Sequence, residues 1–131
     1  MIISDAFGYI NMMDRTADAS YLRETVIANN IANVDTPTYK RKDVEFSSIL
    51  KDKLLQYTAE TRNVDKAVNK LTIEDTQARQ YVDYPGYSYR LDRNNVDIDT
   101  ENVELASEQQ KYSVLTTSIS NDFQRFNAVI S

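Results

Sequence analysis

Almost nothing in this chain can interrupt a helix. Its 131 residues include only two Gly and two Pro, at positions 8, 86, 37 and 85. Gly supplies the positive φ of tight turns and Pro ends helices, so a chain this poor in both cannot build the many turns of a sandwich or barrel. Long helices are left, and the apolar residues are spaced for them. Ile3, Ala6, Phe7, Ile10, Met13, Ala17, Tyr21, Ile27, Ala28 and Ile31 recur every three or four residues, one stripe of a helix over 3–34. Leu105, Tyr112, Ile119 and Phe126 are spaced by seven, with Leu115, Phe123 and Ile130 between them, a heptad-like seam over 99–131.

The expected fold is therefore mainly α. Two long terminal helices pair as a coiled-coil hairpin, and residues 35–98 form a middle segment of one domain. Within that segment Val44, Phe46, Ile49, Leu50 and Leu54 predict a short helix over 46–57. The polar stretch 58–77 predicts a mobile connection. Tyr84-Pro85-Gly86-Tyr87 is a type II turn signal. With Tyr81, Tyr89 and Leu91 around it, it predicts a small β-hairpin. Each terminal helix would run about 45 Å at 1.5 Å per residue. A helix pair has no shielded interior, so Leu22, Val26 and Val114, off the main stripes, are expected on exposed flanks. Periodicity alone leaves open a polymerising subunit and a small monomeric bundle.

Composition narrows the chemistry. The chain has no Cys and no His, which removes disulfides, thiol catalysis, thiolate metal sites and the commonest general base. Gly8 and Gly86 are too isolated for a phosphate loop. A net charge of −5 argues against a nucleic-acid partner. The start, Met1-Ile2-Ile3-Ser4-Asp5, lacks the basic and apolar regions of a cleaved signal peptide, and no stretch approaches the ~20 apolar residues of a membrane span. Neither an enzyme nor a cofactor is expected.

The most unusual segment is Ala28-Asn29-Asn30-Ile31-Ala32-Asn33-Val34-Asp35-Thr36-Pro37-Thr38-Tyr39-Lys40. Asn33 suits a helix C-cap and Pro37 a helix stop. Asn29 and Asn30 lie inside the helix, where Asn is a mediocre former, and suggest amides bonded to a neighbouring backbone. A second run, Asn94-Asn95-Val96-Asp97-Ile98-Asp99, leads into the C-terminal helix. Its spacing beside Glu101 invites a calcium-loop reading, but Thr100 and Ala106 stand where such a loop needs Gly and Glu. Asp97 and Asp99 are better read as acceptors for the N–H groups of the helix start. Lys40-Arg41-Lys42 reads as a solvated loop, or else as a contact for an acidic neighbour. Tyr81, Tyr84, Tyr87 and Tyr89 read as hairpin packing or interface anchors.

Taken together, the two runs resemble the signatures of the bacterial flagellar axial proteins, the rod and hook subunits. Asn29, Asn30, Ile31, Ala32, Asn33, Thr36, Tyr39 and Lys40 match the N-terminal signature in place, with Pro37 inside it. Asn95, Val96 and Asp97 match the entry to the C-terminal helix. Thr38 stands where the family usually has Gly. Arg93 stands where its proximal rod proteins commonly have one. The length suits the short rod proteins and excludes the longer hook and distal rod proteins.

The resemblance implies a structural subunit of the proximal rod, whose terminal helices polymerise to form a torque-transmitting tube around the export channel. Implied partners are FlgC and other rod subunits, the adaptor FliE, the membrane ring and the flagellar type III export apparatus. The implied location is the periplasmic rod, reached without a cleaved signal. The expected assembly interface is Ile3, Phe7, Ile10, Met13, Ala17, Tyr21, Ile27, Ile31, Leu105, Tyr112, Leu115, Ile119, Phe123, Phe126 and Ile130. From another class, a helical adaptor or chaperone holding one amphipathic partner helix would need the same stripes.

Overall fold

The computed structural model describes residues 2–83 and 90–130, with residues 2–6 as backbone only. The terminal helices are present at nearly the expected bounds: α1 is Ile2–Ala32 and α4 is Ile98–Ile130. They pack against each other antiparallel along their length. Phe7 meets Phe126 with ring centroids 5.1 Å apart, and Tyr21 meets Tyr112 at 5.9 Å. Between them lie strand β1 (Lys42–Glu45), helix α2 (Ser47–Thr61), helix α3 (Val64–Lys70), a 3-10 turn (Glu74–Thr76) and strand β2 (Arg79–Val82).

The strands pair antiparallel, from Lys42 opposite Val82 to Glu45 opposite Arg79. A small two-stranded sheet was expected, but its pairing differs. Tyr81 belongs to a strand, yet its partner is residue 43, far back in the chain. Leu91 lies in a turn and is fully exposed. The Tyr84–Tyr87 turn and Tyr89 lie outside the described residues.

The stretch 58–77 is folded rather than a loose connection. Helix α2 continues to Thr61 and stops where Arg62 takes a left-handed conformation, φ 55°, and donates its N–H to the Thr58 carbonyl. Asn63 then caps α3 by accepting from the Lys66 N–H. Two polar residues thus supply the turn chemistry, and three apolar ones, Ala67, Val68 and Leu71, are buried. The helix α3 sits on α1 at Gly8, where a Cβ would fall 1.9 Å from the Asn69 Oδ1. Beside it the Tyr9 hydroxyl donates to Asp65, and Arg15 Nη1 donates to Thr76 Oγ1 at 3.2 Å.

The buried apolar residues come from α1 (Ile10, Ala17, Ala19, Val26, Ile27) and from residues 44–96. Val26 therefore departs from the expected exposed flank. It is buried, and it lies on the helix between Arg23 and Asn30, the residues through which α1 bonds to β1. Leu22 and Val114 are exposed as expected. Among the described residues, α4 fully buries no apolar side chain. Its two buried residues are Glu101 and Glu108.

Candidate functional site: a polar clasp between the terminal helices

Near the C-terminal end of α1, two guanidinium groups hold five carboxylates. Arg23 reaches Asp43 on β1 through Nε at 2.8 Å, and Glu104 and Glu108 on α4 at 2.9 and 2.6 Å. Arg41 reaches Glu101 on α4 at 2.6 Å, Asp83 just after β2 at 2.9 Å and Asp43 at 3.3 Å. Ser20 donates its hydroxyl to the Glu108 carboxylate. Helix, strand and helix are thus bolted together by charge-assisted bonds, the strong class of hydrogen bond.

The electrostatics follow from that crowding. Hydrogen bonding to Asp43, then to Glu108 and Glu104, raises the Arg23 pKa despite burial. Burial opposes the charge on Arg41, but Asp83 and Glu101 outweigh it and the pKa rises. Burial pushes Asp43 up. Bonds from Arg23 and the Val44 N–H, with the charges of both arginines, more than offset this and leave its carboxyl below the usual range. Burial and the Glu101 charge both raise the Tyr39 hydroxyl.

Asn30 is fully buried at the centre and uses its whole amide. Its Nδ2 donates to the Lys42 carbonyl at 2.7 Å and to Glu101 Oε2 at 3.1 Å. Its Oδ1 accepts from the Lys42 N–H at 2.9 Å and the Tyr39 hydroxyl at 3.1 Å. The neighbouring backbone is therefore in the same chain. Asn29, by contrast, is exposed, and its carbonyl accepts from the Asn33 side chain at 2.8 Å. Asn33 receives the Thr36 hydroxyl in turn.

The end of α1 is set by Asn94 as well as by its own cap. Asn94 is fully buried, and its Nδ2 lies 2.8 to 3.0 Å from the carbonyls of Asn33, Val34 and Thr36. The helix stops at Ala32, ahead of the point Pro37 requires. Asn95 Oδ1 accepts from the Arg41 N–H at 2.6 Å, and its Nδ2 donates to the Asp83 carbonyl at 2.7 Å. Val96 is buried. Asp97 Oδ1 accepts from the Asp99 N–H at 3.1 Å and the Thr100 N–H at 3.4 Å, capping α4 as expected of it, whereas Asp99 joins the cap through its backbone N–H and not as the expected acceptor. The N–H of Thr38 donates to the Asp92 carbonyl at 2.7 Å, and Lys40 donates to the Arg93 carbonyl. Both positions expected to hold Gly are left-handed, with φ 62° at Thr38 and 63° at Arg93.

The motif residues thus converge, through Asn30, Asn33, Tyr39, Lys40, Asn95 and Asp97, on one crossing. The basic cluster is neither a free loop nor an outward contact at Arg41, which is committed to Glu101 and Asp83. The reading from sequence missed Arg23, Asp43, Glu101, Glu104, Glu108 and the role of Asn94. A signal existed for two of them: Glu101 and Glu108 are spaced by seven and continue into Leu115, so they occupy one line of the seam.

The expected interface residues divide by place. Ile10, Ala17 and Ile27 are buried within the chain. Phe7, Met13, Ile31, Leu105, Tyr112, Leu115, Ile119 and Phe126 are half-buried, and Tyr21, Phe123 and Ile130 are exposed. The Ile3 side chain lies outside the described residues. Among those residues no group of three or more acidic side chains is arranged to hold a metal ion, and no helix is long and apolar enough to cross a membrane.

A family model described as "Flagella basal body rod protein" matches residues 23–40, the Arg23-to-Lys40 half of the clasp. The chain is 37% identical over 128 residues to the flagellar basal body rod protein FlgB of Borrelia hermsii, covering 92% of this chain and 94% of that protein. It is 32% identical over 128 residues to FlgB of Bacillus subtilis strain 168, covering 95% and 94%. With FlgB of Salmonella typhimurium it shares 33% over 110 residues, 78% of each. With fold, clasp and relatives in agreement, the chain belongs to the FlgB family of flagellar basal body rod proteins.

Proposed function

We propose that this chain is a structural subunit of the proximal rod of the bacterial flagellum, that it is not an enzyme, and that it polymerises through its terminal helices. One observation carries the polymerisation. Among the described residues, α4 fully buries only Glu101 and Glu108, while Val103, Val114, Phe123, Val129 and Ile130 are exposed on it. A 33-residue helix that leaves its apolar residues so poorly covered is built to be covered by something else. Burying them contributes about 25 cal/mol per Å² of apolar area. The clasp holds the two helices in register at one end, so that torque applied to one is passed to the other.

In this reading the one-domain chain acts in the periplasmic rod and reaches it through the type III export apparatus. Its neighbours are FlgC and the other rod subunits, with FliE and the membrane ring at the base. The test is a pulldown of the purified chain against those components. Retention of FlgC or FliE that is lost in a Phe123→Asp, Ile130→Asp variant supports the reading. Retention unchanged by those substitutions contradicts it.

A further inference from the structure

The apolar surface left open on this chain lies in two unlike places. One is convex: the last turns of α4, where Val129 is 84% exposed, Ile130 64% and Phe123 44%. The other is concave: a groove of about 360 Å³ lined by Thr16 of α1, Phe46, and Leu50, Lys51, Leu54, Leu55 and Thr58 along one side of α2. Helix α2 fully buries none of its residues, and Leu55 is 59% exposed. The groove has the size of two aliphatic or aromatic side chains. Its lining carries one charge, that of Lys51. The α4 tip carries Asp122, one-third exposed and only loosely tied to Arg125 at 3.9 Å.

We propose that the groove along α2 receives the α4 tip of a second copy of this chain, with Asp122 of the incoming helix facing Lys51. This rests on the polymerisation reading and says which surfaces meet. A knob and a hole on the same chain cannot satisfy each other within one molecule. Thr16 marks the groove on α1, whereas the Phe7–Phe126 contact places the tip roughly 14 Å further along, at 1.5 Å per residue. Contact between unlike surfaces is head-to-tail, and head-to-tail contact propagates into a ring where its rotation closes and into an open helical array where it does not.

The absence of Cys makes the test clean. Leu55→Cys and Ile130→Cys are prepared as separate single variants and treated with a short bismaleimide, alone and mixed. Cross-linked dimers in the mixture, and little in either sample alone, are expected. Lys51→Glu should weaken association about tenfold, and adding Asp122→Lys to it should restore the loss. Dimers formed equally by either variant alone would overturn the head-to-tail contact. A cross-link from Leu55→Cys to a Cys-bearing FlgC, in place of the one to Ile130→Cys, would overturn the contact between copies and give the groove to that partner. Association by sedimentation without any cross-link, and unmoved by Lys51→Glu, overturns the groove and leaves polymerisation standing. No association at any concentration removes both.

Discussion

Thr38 and Arg93 both hold a backbone conformation suited to Gly, at φ 62° and 63°. A side chain there costs about 1 kcal/mol of strain, offset in part by the greater freedom of Gly in the unfolded chain. Thr38→Gly and Arg93→Gly are each expected to stabilise the chain by about 0.5 kcal/mol, read as a higher urea midpoint at unchanged slope. Both residues sit where the two motif loops are joined, and the substitutions should leave the clasp bonds intact. Asp43 gives a pH dependence of known sign. Its carboxyl is held below the usual range, so its contribution is complete above its unfolded pKa of about 3.9 and is lost as pH falls through the lower folded value. The urea midpoint should drop as the pH is lowered from about 6 to about 3. An Asp43→Asn variant should lose stability at the upper end of that range and show a smaller drop. An equal drop in both would show that Asp43 is not the group responsible.

At the scale of elements, the terminal helices were legible because their stripes run for about eight or nine turns and chain breakers are absent. The middle was less so. Arg62 and Asn63 set the α2–α3 corner through backbone conformation and a cap, and neither has a periodic signal. The partner of β2 lies more than thirty residues earlier, and pairing over such a separation depends on the helices that bring the strands together. The clasp was half legible. Its asparagines stood out as unusual in a helix, whereas its arginines and glutamates looked like ordinary surface charge until the fold placed them face to face. Gly8 is the element-scale test. Its missing side chain leaves the space that the Asn69 side chain of α3 fills against α1. Gly8→Val is expected to lift α3 and speed hydrogen exchange across Val64–Lys70 about tenfold, an opening about 1.4 kcal/mol easier, while exchange in Ile98–Ile130 barely changes. Uniform acceleration would mean that α3 is not separately docked.

As a whole molecule, the two terminal helices are clasped to each other at one end, while at the other α3 covers α1 and the last turns of α4 are left exposed. Ions and amides bind α1, β1 and α4 around Asn30, while the far half of the helix pair shares only a few half-buried contacts such as Phe7 with Phe126. Such an arrangement suits a part of something larger, since breaking a buried ion pair costs about 3–5 kcal/mol and keeps the helices in register until neighbours cover the seam. The direct measurement is sedimentation velocity of the purified chain over a wide range of concentrations. The account predicts a weight-average size that keeps rising without settling on one small oligomer. It also predicts that Phe123→Asp with Ile130→Asp holds the chain at monomer size. A single monomer boundary for the unaltered chain at every concentration would contradict it.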